Sequence, residues 1–213
     1  MMMNDPTEGL MIKISEWIVT MTVLNLLWLL LTLLGGVLLG WAPATVAIMA
    51  VWRQKARTTD KVPLVKTMWE AYWQNFLKAN AIGWILKLCG ALLIFYSFTL
   101  SYWEGVIMLV FWVLFSMIVV IFMIVGIFVF SVYIHYDLKF VMNFRYAFLI
   151  GLSHLHFVGV MAVTIAVVFW VYTLFPGLML VFAVSFPSMC ITQLALVVFG
   201  KIEDKQAHYS NQE

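Results

Sequence analysis

FVGVMAVTIAVVFWVYTLFPGLMLVFAVSFPSMCITQLALVVF, residues 157–199, contains no charged residue. A helix rises about 1.5 Å per residue and must cross roughly 30 Å of hydrocarbon, so one crossing takes about 20 mainly apolar residues. The stretch is too long for a single pass. Phe175-Pro176-Gly177 divides it with a turn sequence, which predicts transmembrane helices over 157–175 and 178–199. Pro187 falls near the middle of the second, where a kink is expected. Barrel strands would alternate apolar and polar residues over about ten positions; these runs are apolar on every side.

Working toward the N-terminus, the same length rule finds crossings over 106–134, 80–103 and 17–39, the last ending at Gly35-Gly36 and Gly40. Composition agrees. The chain is 65% hydrophobic and 10% charged, against roughly 25% charged in soluble domains, too few charges to coat a water-exposed surface. The sequence therefore predicts an all-α integral membrane protein of about five transmembrane helices, in one membrane domain over 1–213. The N-terminus is expected to be a retained first helix, since Asp5, Glu8 and Glu16 outnumber Lys13 where a secretion signal would be basic. With a net charge of +2 and basic residues clustered near the ends of apolar runs, nucleic-acid binding has no support.

Three connecting segments carry further pattern. Residues 43–55 are apolar but too short to span unaided, and Pro43 suits the first turn of a separate or re-entrant helix. Residues 64–78 set Val65, Trp69, Tyr72 and Phe76 on one side and Lys66, Glu70, Gln74 and Lys78 on another, as in an amphipathic helix at the lipid interface. Residues 137–152, with Lys139 and Arg145 among aromatics, are expected to repeat that role. The basic links and tail predict a cytoplasmic face for these interfacial segments and for the C-terminus, and an exterior N-terminus.

Chemistry-bearing motifs are sparse. Lys87 is the one formal charge inside a predicted crossing, and Asn80 stands near the start of the same run. A buried ammonium marks a substrate path or ion site by default, but a position about two turns from the interface also lets Lys87 snorkel to the headgroups. His135, Asp137, His154 and His156 gather near the expected cytoplasmic face. Their spacing matches no H-E-x-x-H zinc helix, and helix-end polar caps explain them more simply. No G-x-S-x-G, P-loop or dinucleotide fingerprint occurs, so catalysis is not expected, and no cofactor or metal is assigned. Trp17, Trp41, Tyr102, Tyr133, Tyr136 and Tyr172 fall near proposed boundaries, where aromatic rings anchor helices. Asn25, Thr32, Thr192 and Gln193 are candidates for polar contacts between helices.

Residues 40–80, GWAPATVAIMAVWRQKARTTDKVPLVKTMWEAYWQNFLKAN, resemble the YesL-like family, formerly catalogued as a domain of unknown function and found chiefly in Firmicutes. The resemblance is carried by Gly40, Pro43-Ala44, Trp52-Arg53, Trp69, Tyr72, Trp73, Phe76 and Asn80 in that order. It implies a small multi-pass protein of the bacterial cell membrane, of a kind often encoded beside carbohydrate ABC transporters. From resemblance and pattern together, the expected function is a membrane accessory or scaffold protein. Its expected partners are the lipid bilayer and either carbohydrate ABC transporter subunits or further copies of the chain. The alternative is a small solute transporter or channel whose path uses Lys87 with Asn80 or Thr192.

Overall fold

The computed structural model describes residues 6–58, 60–102, 104–136 and 138–210. Helices α1 (Pro6–Leu34), α2 (Trp41–Arg57), α3 (Leu64–Leu100), α4 (Val106–His135), α5 (Phe140–Ser153), α6 (Leu155–Leu174), α7 (Pro176–Phe182) and α8 (Ser185–Ser210) follow in order, with no strand among the described residues. Five segments are long and apolar enough to cross a membrane: Met11–Leu34, Leu64–Leu100, Met108–His135, Leu155–Leu174 and Ser185–Asp204. The chain is an all-α, multi-pass membrane protein, with the five long helices its composition predicts.

The axis of the bundle is α2, which packs against α1, α3, α4 and α8. Residues 43–55, expected as an interfacial segment, lie within α2, whose first three turns are sheltered by the surrounding helices. Ala42, Pro43, Ala44, Val46, Ala47, Ile48, Met49, Val51 and Trp52 are all buried. Small residues at its start let neighbouring backbones close in, the means by which helices associate where lipid supplies no hydrophobic drive. Pro43 costs no hydrogen bond in the first turn, whose N–H groups have no partner within the helix. Gly83 of α3 meets Ala42 so closely that an added Cβ would lie 2.6 Å from the Ala42 Cβ.

The first crossing ends earlier than its apolar run. Gly36 adopts φ +69° and its N–H bonds the Leu33 carbonyl at 2.9 Å, while the Val37 N–H bonds the Thr32 carbonyl at 2.8 Å. That pair of bonds is a Schellman motif, which stops α1 at Leu34 and turns the chain into α2 instead of continuing to residue 39. Gly40 must be glycine, because a Cβ there would stand 2.2 Å from the Thr32 carbonyl oxygen.

A second difference concerns 64–78, which is no separate element. The helix α3 runs unbroken through Ala79 and Asn80 for 37 residues, about 55 Å at the usual rise and well beyond one hydrocarbon thickness. Of its expected apolar side, Val65 and Trp69 are exposed and Tyr72 is buried, and Met68 and Ala71 join Tyr72 in the core. Of the expected segment 137–152, residues 140–152 belong to the short helix α5 (Phe140–Ser153), whose Asn143, Ala147, Ile150 and Gly151 make a buried stripe against α4. The last crossing differs as well. The chain breaks at Ala183-Val184, and Pro187 falls in the first turn of α8, so no kink arises. Asn25 of α1 repairs the break, its Oδ1 accepting the Val184 N–H at 3.1 Å.

Candidate functional site

Polar side chains converge at the end of the bundle where α1 begins, α2 ends, α3 begins and α4 ends. The Lys61 ammonium lies 3.7 Å from Glu16, and Lys55 donates to the Thr20 hydroxyl at 3.4 Å. These contacts place the early turns of α1 beside the basic link between α2 and α3.

Arg53 organises the centre. Its Nη1 donates to the Ile134 carbonyl at 2.7 Å and its Nη2 to the His135 carbonyl at 3.3 Å. The last carbonyls of a helix lack partners and carry its negative dipole end, so a guanidinium there both satisfies and neutralises them. His135 Nε2 meets Glu203 Oε1 at 2.9 Å, with the imidazole almost wholly buried and stacked 4.4 Å from the Phe199 ring. The ends of α2, α4 and α8 are thereby tied together. Next to them, the Tyr133 hydroxyl donates to Asn75 Oδ1 at 2.7 Å, joining α4 to α3. Burial, then the carboxylate of Glu203 and the ring of Tyr146, raise the Tyr136 phenol above its ordinary pKa.

Two open clefts flank the Tyr133–Asn75 bond. One, of ≈ 510 Å³, is walled by α2 and α3 and includes Arg53, Gln54, Arg57, Thr67 and Gln74. The other, of ≈ 280 Å³, includes Arg53, Lys78, His135 and Tyr136. Deeper in, a void of ≈ 10 Å³ between α4 and α8 is lined by Ser131, His135 and Thr192. Ser131 Oγ and His135 Nδ1 are buried there without a protein partner.

Lys87 sits elsewhere, near the α1–α2 turn at the opposite end of α2. Its ammonium donates to the Leu38 carbonyl and lies 5.1 Å from the Trp41 ring centroid and 4.7 Å from that of Trp84. A turn carbonyl and two indole faces hold the charge, and Lys87 lines none of the clefts just described. Asn80 is buried and donates to the Phe76 carbonyl at 2.9 Å; it does not meet Lys87. Thr192 borders the small void. Of the family-marker residues, Gly40, Pro43, Ala44 and Trp52 pack the α1–α2 corner and the core, Phe76 packs against that core, and Trp69 faces outward.

The histidines separate. His135 belongs to the Glu203 pair, His154 and His156 contact each other at 6.2 Å, and Asp137 lies outside the described residues. No group of three His, Cys, Asp or Glu side chains among the described residues is placed to hold a metal. Sequence reasoning flagged Arg53 and His135 but missed Glu203, Asn75 and Tyr133 as their companions. Glu203 offered one signal, an acid on the last helix soon after an apolar run.

Comparison with known proteins supplies the family. Residues 21–97 match the model for DUF624, a protein family of unknown function. Across 95% of this chain and 90% of the relative, 30% of residues are identical to the uncharacterised protein YteU of Bacillus subtilis (strain 168). The chain belongs to the DUF624 family. YesV of the same organism is 33% identical over 87% of this chain and 86% of its own length, and YesL 26% identical over 89% and 90%. No solved structure matches. The DUF624 match spans the α1–α2 corner, all of α2 and most of α3, so the shared segment carries Arg53 and the close Gly83–Ala42 approach, while the carbonyls that Arg53 meets lie outside it.

Proposed function

We propose that this DUF624 protein is a non-enzymatic accessory or scaffold protein that contacts another membrane protein within the bilayer. The carrying observation is the hairpin formed by the second half of α3 and the first half of α4. Leu92, Phe95, Phe98, Leu109, Val113 and Met117 are exposed on it, while Tyr96 and Phe115 pack at 5.9 Å to join its arms. An apolar surface of this extent signifies lipid or a membrane partner, whereas the polar groups at the other end are tied in pairs that hold the bundle itself. The family resemblance points to carbohydrate ABC transporter subunits as the partner, with self-association as the competing outcome.

Photo-crosslinking from Phe95 and Val113 in native membranes tests this reading. Adducts with a membrane protein of defined mass support it; adducts of twice the chain's mass indicate self-association; lipid adducts alone remove it. A solute path through Lys87 and Asn80 has less support, because the two side chains do not converge on a common cleft.

For sidedness, the reading best supported by the packing sets both termini on the cytoplasmic face. Glu16 with Lys61 and Lys55 with Thr20 place the start of α1 beside the basic link. The helix α2 then returns through the bundle as a sixth, protein-sheltered pass. Its 17 residues give about 26 Å, short for a lipid-exposed span but sufficient inside a bundle.

A further inference from the structure

We propose that the paired clefts around Arg53 form a binding site for a phosphoryl group, carried either by an anionic lipid headgroup or by a soluble phosphate compound. The inference stands apart from the scaffold reading and uses none of the hairpin residues.

Three cations border the site from two helices. Arg53 and Arg57 are one turn apart on α2, and Lys78 stands on α3 across the adjoining cleft. Like charges four residues apart on a helix repel each other, so an anion between them relieves a cost already present in the fold. The acid on the wall, Glu70, lies 3.9 Å from Lys66 and is partly neutralised by it. Arg53 is held in place by its two bonds to the end of α4, and a guanidinium has five donors. It therefore presents an immobilised charge, with little ordering left to lose on binding. Gln54 and Gln74 add amide groups around the cations, the mixture of fixed charge and neutral donors that a phosphate's several oxygens accept. The volume of the larger cleft, ≈ 510 Å³, falls in the range of small-molecule sites.

Arg53 also supports α4, so the informative substitutions are Arg57→Gln with Lys78→Gln, both at exposed positions. The control is Lys13→Gln with Lys61→Gln, which removes the same charge from exposed positions outside both clefts. Full-length protein is placed in nanodiscs and its melting temperature is measured. One arm compares phosphatidylcholine with phosphatidylglycerol; the other adds inorganic phosphate to phosphatidylcholine discs at ionic strength matched with chloride. The expected result is a rise of a few degrees, saturating with phosphate in the second arm, as mass action requires for a ligand of the folded state. The rise is retained in the control and lost in Arg57→Gln/Lys78→Gln. A rise in the phosphatidylglycerol arm alone assigns the site to a headgroup, and a rise with inorganic phosphate assigns it to a soluble compound. No rise in either arm, or a rise that survives loss of Arg57 and Lys78, overturns the proposal.

Discussion

Arg53 donates to the carbonyl oxygen of Ile134 at 2.7 Å, so a side chain from the buried helix α2 closes the C-terminal end of α4. With the second bond to His135, this one guanidinium satisfies two carbonyls that would otherwise lack partners. Substituting Arg53→Met should destabilise the protein by about 2 kcal/mol, the usual scale for a charged hydrogen bond whose acceptors are left unpaired. Arg53→Lys should recover only part of this, because an ammonium lacks the planar fork that reaches both carbonyls. Unfolding in mixed micelles measures both; equal stability of Arg53→Met and the native protein would refute the capping role.

Gly83 of α3 packs against Ala42 of α2 with no room for another methyl group. Gly83→Ala should lower the melting temperature by several degrees, since overpacking of a tight core typically costs about 1–3 kcal/mol. Adding Ala42→Gly should restore much of the loss by removing the methyl group that the new one meets. A double variant no more stable than Gly83→Ala would show that the contact is not the cause.

Asn25 accepts the backbone N–H of Val184 at the break between α7 and α8. In Asn25→Leu that N–H loses its partner in an apolar setting, and such a group costs about 1–3 kcal/mol. Hydrogen exchange at Val184 should quicken by about tenfold or more, while exchange in the core of α2 changes little. Unchanged exchange at Val184 would remove this role from Asn25.

The length and evenness of the apolar runs made the helical membrane class legible, because both follow from the need of every backbone group in lipid to bond within its own segment. Boundaries were less legible where a cap or a distant side chain decides them. Gly36 ends α1 through a Schellman motif while the apolar residues continue, and Asn25 permits a break at Val184 that moves Pro187 from mid-helix to a first turn. Residues 43–55 were legible as a short apolar helix, but their burial was not, because the residues that cover them come from α1, α3, α4 and α8. At the basic end, Arg53 and His135 were visible as single residues. Their partners Ile134 and Glu203 come from separate helices, and one chain's pattern carries no signal of that pairing.

Sidedness gives the last prediction. The positive-inside tendency places the links rich in Lys and Arg in the cytoplasm, and Glu16–Lys61 ties the start of α1 to the first of those links. If α2 is counted as a sheltered pass, as proposed above, α1, α2, α3, α4, α6 and the α7–α8 pair make an even number, and the bias then predicts a cytoplasmic N-terminus. In a background with Cys89 and Cys190 replaced by alanine, single cysteines at Lys13, Lys61 and Ser101 report the faces. A membrane-impermeant maleimide applied to intact cells should label Ser101→Cys at once and Lys13→Cys and Lys61→Cys only after permeabilisation. Labelling of Lys13→Cys from outside while Lys61→Cys stays protected would put on opposite faces two ends that lie side by side at Glu16 and Lys61. It would restore an exterior N-terminus and remove α2 from the count of passes.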